Sequence, residues 1–163
     1  MVKEKKCLLI VDVQKGFIND YTMHLPEKIN NLYKSYDNVF ATKFYNKLGS
    51  FYDTLINWYS VRKDTEEFEF AFVPEERIEI LEKSVYSCMN PFFLEKLNAL
   101  GIKKVSICGI DTDICVMKCA VDLFENGIIP IVLEGYCAST AGPNAHKCGI
   151  ATIKRFIGAK QVI

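Results

Sequence analysis

The chain has 163 residues, half of them apolar and a quarter charged, with 20 Lys and Arg balancing 20 Asp and Glu. That length and apolar content suit one compact domain over residues 1–163 with a sizeable core. A net charge of zero sets up no overall field to draw in nucleic acid or an anionic membrane, so a small molecule is the expected partner.

In chain order, MVKEKKCLLIVDVQ sets basic residues before an apolar run, but Asp12 interrupts the run and no small-residue cleavage site follows. It reads as a first β-strand, not an export signal. No apolar run approaches the ~18 to 20 residues of a bilayer-spanning helix, which predicts a soluble, cytoplasmic protein. After the strand CLLIVDV (7–13), PEKINNLYKSY predicts a helix opened by Pro26, and NVFATKF (38–44) is a weaker strand candidate. Residues 47–76 hold aromatics, the single Trp58 and the charge-rich RKDTEEFEFAFVPEER. A surface helix with a solvated loop fits that stretch, and so does a flap over a pocket.

RIEILEK (77–83) is a second weaker strand, followed by the helix NPFFLEKLNALG ending at Gly101. KVSICGI (104–110) predicts a strand, and DTDICVMKCAVDLFENG a helix closed by Gly127. On that helix Val116, Ala120, Leu123 and Phe124 form the expected apolar stripe around Cys119, with Lys118, Asp122 and Glu125 toward solvent. The strand IIPIVLE (128–134), the helix NAHKCGIATIKRFIG ending at Gly158 and a last strand KQVI (160–163) complete the chain. Continuous apolar strands are buried on both faces, so helices must cover both sides. The result is a three-layer α/β/α fold around an open, doubly wound, mostly parallel sheet, whose ligands bind beyond the carboxyl ends of the strands.

The seven cysteines are odd in number and lie in apolar segments, which predicts reduced thiols. Cys115 and Cys119 form C-x3-C without a second pair, and His24 and His146 are far apart in sequence, so no metal and no other cofactor is expected. Asp12, Lys83 and Cys115 fall at or just past strand ends, where one cleft would gather them. Singly, each has an ordinary reading as a turn cap, a solvated lysine and a core cysteine. Together they make a coherent acyl-transfer site in which cysteine attacks, aspartate carries protons and lysine orients it. Cys115 in the first turn of a helix is expected to have a lowered pKa. Phe17, Phe44, Tyr45 and Tyr86 suit either pocket walls or core packing.

LLIVDVQKGF, LEKSVYSCM, GIDTDICVMKCAVDLFENG and the terminal EGYCASTAGPNAHKCGIATIKRFIGAKQVI together resemble the isochorismatase-like cysteine hydrolases, which include nicotinamidases, carbamoyl-amide hydrolases and isochorismatases. The resemblance implies a six-stranded sheet of order 3-2-1-4-5-6 and an Asp12, Lys83, Cys115 triad. It also implies a cis peptide between Ile110 and Asp111, and an oxyanion hole from the Asp111 and Cys115 N–H groups. Where the nicotinamidases carry an Asp-x-His metal-binding stretch, this chain reads ATKFYNKLGSFYD, without histidine and without aspartate until Asp53. The isochorismatases lack the nucleophilic cysteine present here. The expected activity is metal-independent hydrolysis of a C–N bond in a small amide or carbamoyl compound. A nicotinamidase proper, an inactive binding protein and a thiol-redox protein stay open as alternatives, as does a homo-oligomer.

Overall fold

The computed structural model describes residues 5–163, so the first four residues of the N-terminal stretch lie outside it. Five parallel strands, β1 (Cys7–Val11), β2 (Asn38–Phe44), β3 (Glu79–Lys83), β4 (Lys104–Ile110) and β5 (Ile129–Ala138), form a sheet of order β3-β2-β1-β4-β5. The expected order holds for these strands. The expected sixth does not form. Gly158 takes φ 96° and Ala159–Gln161 coil into a 3-10 turn, which leaves Val162 as a lone parallel bridge to Val132 at the sheet edge.

Helices α1 (Leu25–Leu32), α2 (Phe51–Thr54), α3 (Pro91–Ala99), α4 (Met117–Glu125) and α5 (Pro143–Ile157) follow the strands. Side chains alternate across a strand, and β1 shows the consequence. Cys7, Leu9 and Val11 enter the core shared with Phe93 and Leu97 of α3, Leu123 of α4 and Ile153 of α5. Leu8 and Ile10 enter the core shared with Leu25 and Ile29 of α1. Every β1 residue is buried, and full burial of one such side chain stabilises by roughly 1.5–3 kcal/mol. A charge on either face of β1 would therefore break the layer it faces.

On α4 the stripe is rotated from the expected one. Asp122 is buried, taking the Ser87 hydroxyl and pairing with Lys118, while Phe124 is exposed. Among the described residues no helix is long and apolar enough to cross a membrane.

Gly109 lets β4 lie against β1 near the strand ends. Its φ is 124°, and a Cβ there would meet the Val11 carbonyl oxygen at 2.1 Å. Only glycine tolerates both the dihedral and the contact.

Candidate active site

The carboxyl ends of the strands converge on one cleft of about 400 Å³. Asp12 follows β1 in a left-handed conformation, φ 48°, uncommon outside glycine but open to aspartate and asparagine. Its N–H donates to Thr42 Oγ1 on β2 at 3.0 Å, and the same hydroxyl donates to Asp12 Oδ1 at 2.6 Å. Lys83, the last residue of β3, reaches Asp12 Oδ2 at 2.7 Å, with 5% and 1% of the two side chains exposed. Its Nζ also donates to the carbonyls of Val85 and Tyr86, at 3.1 and 3.2 Å, and lies 3.6 Å from Cys115 Sγ. Burial works against the Lys83 charge, but Asp12 and Cys115 outweigh it and hold the lysine pKa above its ordinary value.

Cys115 sits on a π-helical turn, Thr112–Val116, that precedes α4 and follows the cis peptide Ile110–Asp111. Asp111 anchors this turn to the end of β5, accepting from the N–H and hydroxyl of Thr140 at 2.6 and 2.8 Å. Behind it α5 packs closely, since a Cβ on Gly149 would meet Asp113 at 2.9 Å.

The turn does not leave Cys115 as a ready thiolate. Burial raises the thiol well above its ordinary range, the neighbouring Asp12 charge adds to that, and Lys83 only partly opposes them. The resting thiol is therefore protonated and needs a base, and Asp12 adjoins it. Cys148 is the exposed cysteine of the seven, so a general alkylating agent is expected to reach it first, ahead of Cys115. The rate of Cys115 alkylation by iodoacetamide, followed by peptide mass analysis against pH, should still climb above pH of about 9.5, where an ordinary thiol with a pKa of about 8.5 has levelled off. A plateau near neutrality would show a standing thiolate instead.

Phe17, Phe44 and Tyr86 line the cleft, whereas Tyr45 does not. It follows Phe44 directly and so points the other way, packing edge-on to Phe68 with the Lys63 amine 4.3 Å from its ring centroid. The segment 47–76 supplies what sequence reasoning missed: Tyr52, Ile56 and Trp58 form one wall. The lone tryptophan of a segment without clear periodicity was the signal available. Gln14, fully buried, ties that segment to β2 through bonds to Phe44 N and O and to the Phe68 carbonyl.

The residues do not fit a catalytic metal of the Asp-x-His kind. Asp53, the carboxylate of ATKFYNKLGSFYD, already accepts from Arg62, Asn46 and the Gly49 N–H. His24 and His146 share a separate groove, where His146 Nδ1 lies 2.8 Å from Thr112 Oγ1. Among the described residues no three His, Cys, Asp or Glu side chains gather to hold an ion.

This fold is that of isochorismatase-like hydrolases. An isochorismatase-like hydrolase from Alkaliphilus metalliredigens superposes with TM-score 0.82 at 18% identity, covering 93% of this chain and 92% of that one. A pyrazinamidase of Pyrococcus horikoshii, solved in complex with zinc, gives 0.82 at 20% identity over 94% and 96%. The nicotinamidase of Bacillus subtilis gives 0.82 at 22% identity over 97% and 98%. No curated protein sequence matches the chain. Residues 6–160 match the isochorismatase domain, and the chain belongs to the isochorismatase family.

Proposed function

We propose that this chain is a cysteine-dependent hydrolase of a C–N bond in a small amide or carbamoyl compound, acting as one domain. The observation that carries this reading is the buried contact of Lys83 with both Asp12 Oδ2, at 2.7 Å, and Cys115 Sγ, at 3.6 Å. A protonated thiol, a buried carboxylate beside it and a fixed cation are the parts of nucleophilic acyl transfer without histidine.

Asp12 takes the Cys115 proton as sulfur attacks the substrate carbonyl. The oxyanion that forms is held by the Asp111 and Cys115 N–H groups. Collapse breaks the C–N bond, and Asp12 passes its proton to the leaving nitrogen, freeing ammonia or an amine and a thioester on Cys115. Asp12 then takes a proton from water, whose oxygen attacks the thioester. Release of the acid returns the proton to sulfur. Lys83 keeps Asp12 in place and balances its charge throughout. Asp12 and Asp111 are the charged side chains lining the cleft, and the walls are Phe17, Phe44, Tyr52, Trp58 and Tyr86. That lining favours an uncharged amide and leaves a substrate carboxylate unmatched.

The test is a screen of small amides for ammonia release, repeated after exhaustive chelation. Turnover of at least one uncharged amide is expected, abolished in Cys115→Ser and kept after chelation, with nicotinamide a poor substrate. Activity lost on chelation and restored by one equivalent of zinc, manganese or iron would overturn the metal-free mechanism. Peroxide-driven disulfide formation at Cys115 without any amide turnover would support the redox alternative.

A further inference from the structure

The wall that carries Tyr52 and Trp58 is held by a buried network that touches none of the reacting groups. Asn46 is its centre, 2% exposed. Its Nδ2 donates to Asp53 Oδ1 at 2.9 Å and to the Trp58 carbonyl at 3.0 Å, and its Oδ1 accepts from the Ser50 hydroxyl at 2.6 Å. Asp53 is also buried. It takes Arg62 Nη2 on Oδ1 at 2.7 Å and the Gly49 N–H on Oδ2 at 2.8 Å. Arg62 closes the ring by donating from Nη1 to the Asn46 carbonyl at 3.2 Å.

The backbone between these residues is strained. Asn57 and Val61 adopt φ of 56° and 58°, and for the β-branched, fully buried Val61 that is a costly conformation. Such strain persists only where surrounding contacts over-determine it. The network supplies those contacts and ends at Trp58. With its carbonyl held by Asn46, the Trp58 N–H donates to the Tyr52 carbonyl at 2.8 Å. Its ring lies nearly parallel to Phe17, centroids 5.9 Å apart at 11°, and meets Tyr52 edge-on at 6.1 Å.

We propose that Arg62 and Asp53 are positioning residues for substrate binding: their ion pair, outside the cleft, fixes the Trp58 and Tyr52 rings as its aromatic wall. This rests on the proposed function. Neither residue lines the cleft, so the pair acts on how well substrate is held and not on bond breaking. Loss of binding that is equal in ground and transition states raises KM and leaves kcat alone.

Arg62→Gln, Arg62→Lys and Asp53→Asn test it, on the amide found by the screen. Arg62→Gln is expected to raise KM about tenfold with kcat within about threefold of wild type. Trp58, the single tryptophan, should shift its emission to the red and become more open to acrylamide quenching. Arg62→Lys keeps the charge pair but loses the second bond to the Asn46 carbonyl, so it should recover part of both effects. If Arg62→Gln fails to fold by circular dichroism, Arg62→Lys and Asp53→Asn are read in its place. Unchanged KM and quenching in a folded variant, or a fall in kcat at constant KM, would overturn the positioning role. Absence of amide turnover in the wild type would overturn the proposed function alone, and the quenching comparison would still decide whether the pair fixes Trp58.

Discussion

Asp12→Asn is expected to lower kcat by at least about 10³-fold, the upper part of the range for removing a positioned proton carrier. The replacement isolates the charge well. Asparagine tolerates the left-handed φ of 48° that Asp12 adopts and keeps an oxygen for the Thr42 hydroxyl, 2.6 Å away in the native chain. What is lost is the carboxylate that, in the proposed mechanism, accepts the Cys115 proton. Burial, the largest cause of the raised thiol pKa, stays in the variant and disfavours a standing thiolate, while the loss of the Asp12 charge removes a second cause and leaves Lys83 to favour it, so the residual turnover measures what thiolate forms without a base. Steady-state kinetics on the amide from the screen, with mass detection of an acyl-Cys115 intermediate, measures the effect. Near-wild-type turnover would remove Asp12 from the chemistry.

Lys83→Met should be both inactive and markedly less stable. The native ion pair is almost wholly buried, and its cation also satisfies the Val85 and Tyr86 carbonyls and lies 5.1 Å from the Phe44 ring centroid. Removing one partner of such a pair strands the other charge, at a cost of about 3–5 kcal/mol. For a chain of this size that is a fall of about 10 °C in Tm. The double variant Asp12→Asn with Lys83→Met removes both charges and should regain more than half of the lost stability, with turnover still absent. Thermal unfolding of the two single variants and the double variant closes the cycle. A Lys83→Met protein melting within about 2 °C of wild type would show that the pair is solvated in solution.

The layered parallel fold was legible in local pattern. β1 reads as CLLIV because a central strand has both faces covered, and each of its residues is buried. β3 read weakly because it is an edge strand, with Ile80 half exposed between Glu79 and Glu82. The terminal KQVI has strand composition, but Gly158 and the 3-10 turn use up its length, and composition does not count the residues a turn consumes. The gathering of Asp12, Lys83 and Cys115 was legible too, because groups that follow the carboxyl ends of parallel strands lie along one edge of the sheet.

Other features needed the tertiary structure. Tyr45 and Phe44 look equivalent as pocket residues until strand alternation is anchored to one face. The raised pKa of Cys115 follows from burial and the neighbouring Asp12 charge, against the opposing charge of Lys83. The Trp58 wall depends on Asn46, Asp53 and Arg62 meeting in a loop that repeats with neither helical nor strand period. By itself the sequence determined which segments are buried on both faces and which reactive groups end them, since burial imposes a period that the chain records locally. Only the tertiary structure decided the charge state of the thiol and the shape of the cleft, because both depend on side chains that folding brings within a few ångströms and that no local spacing records.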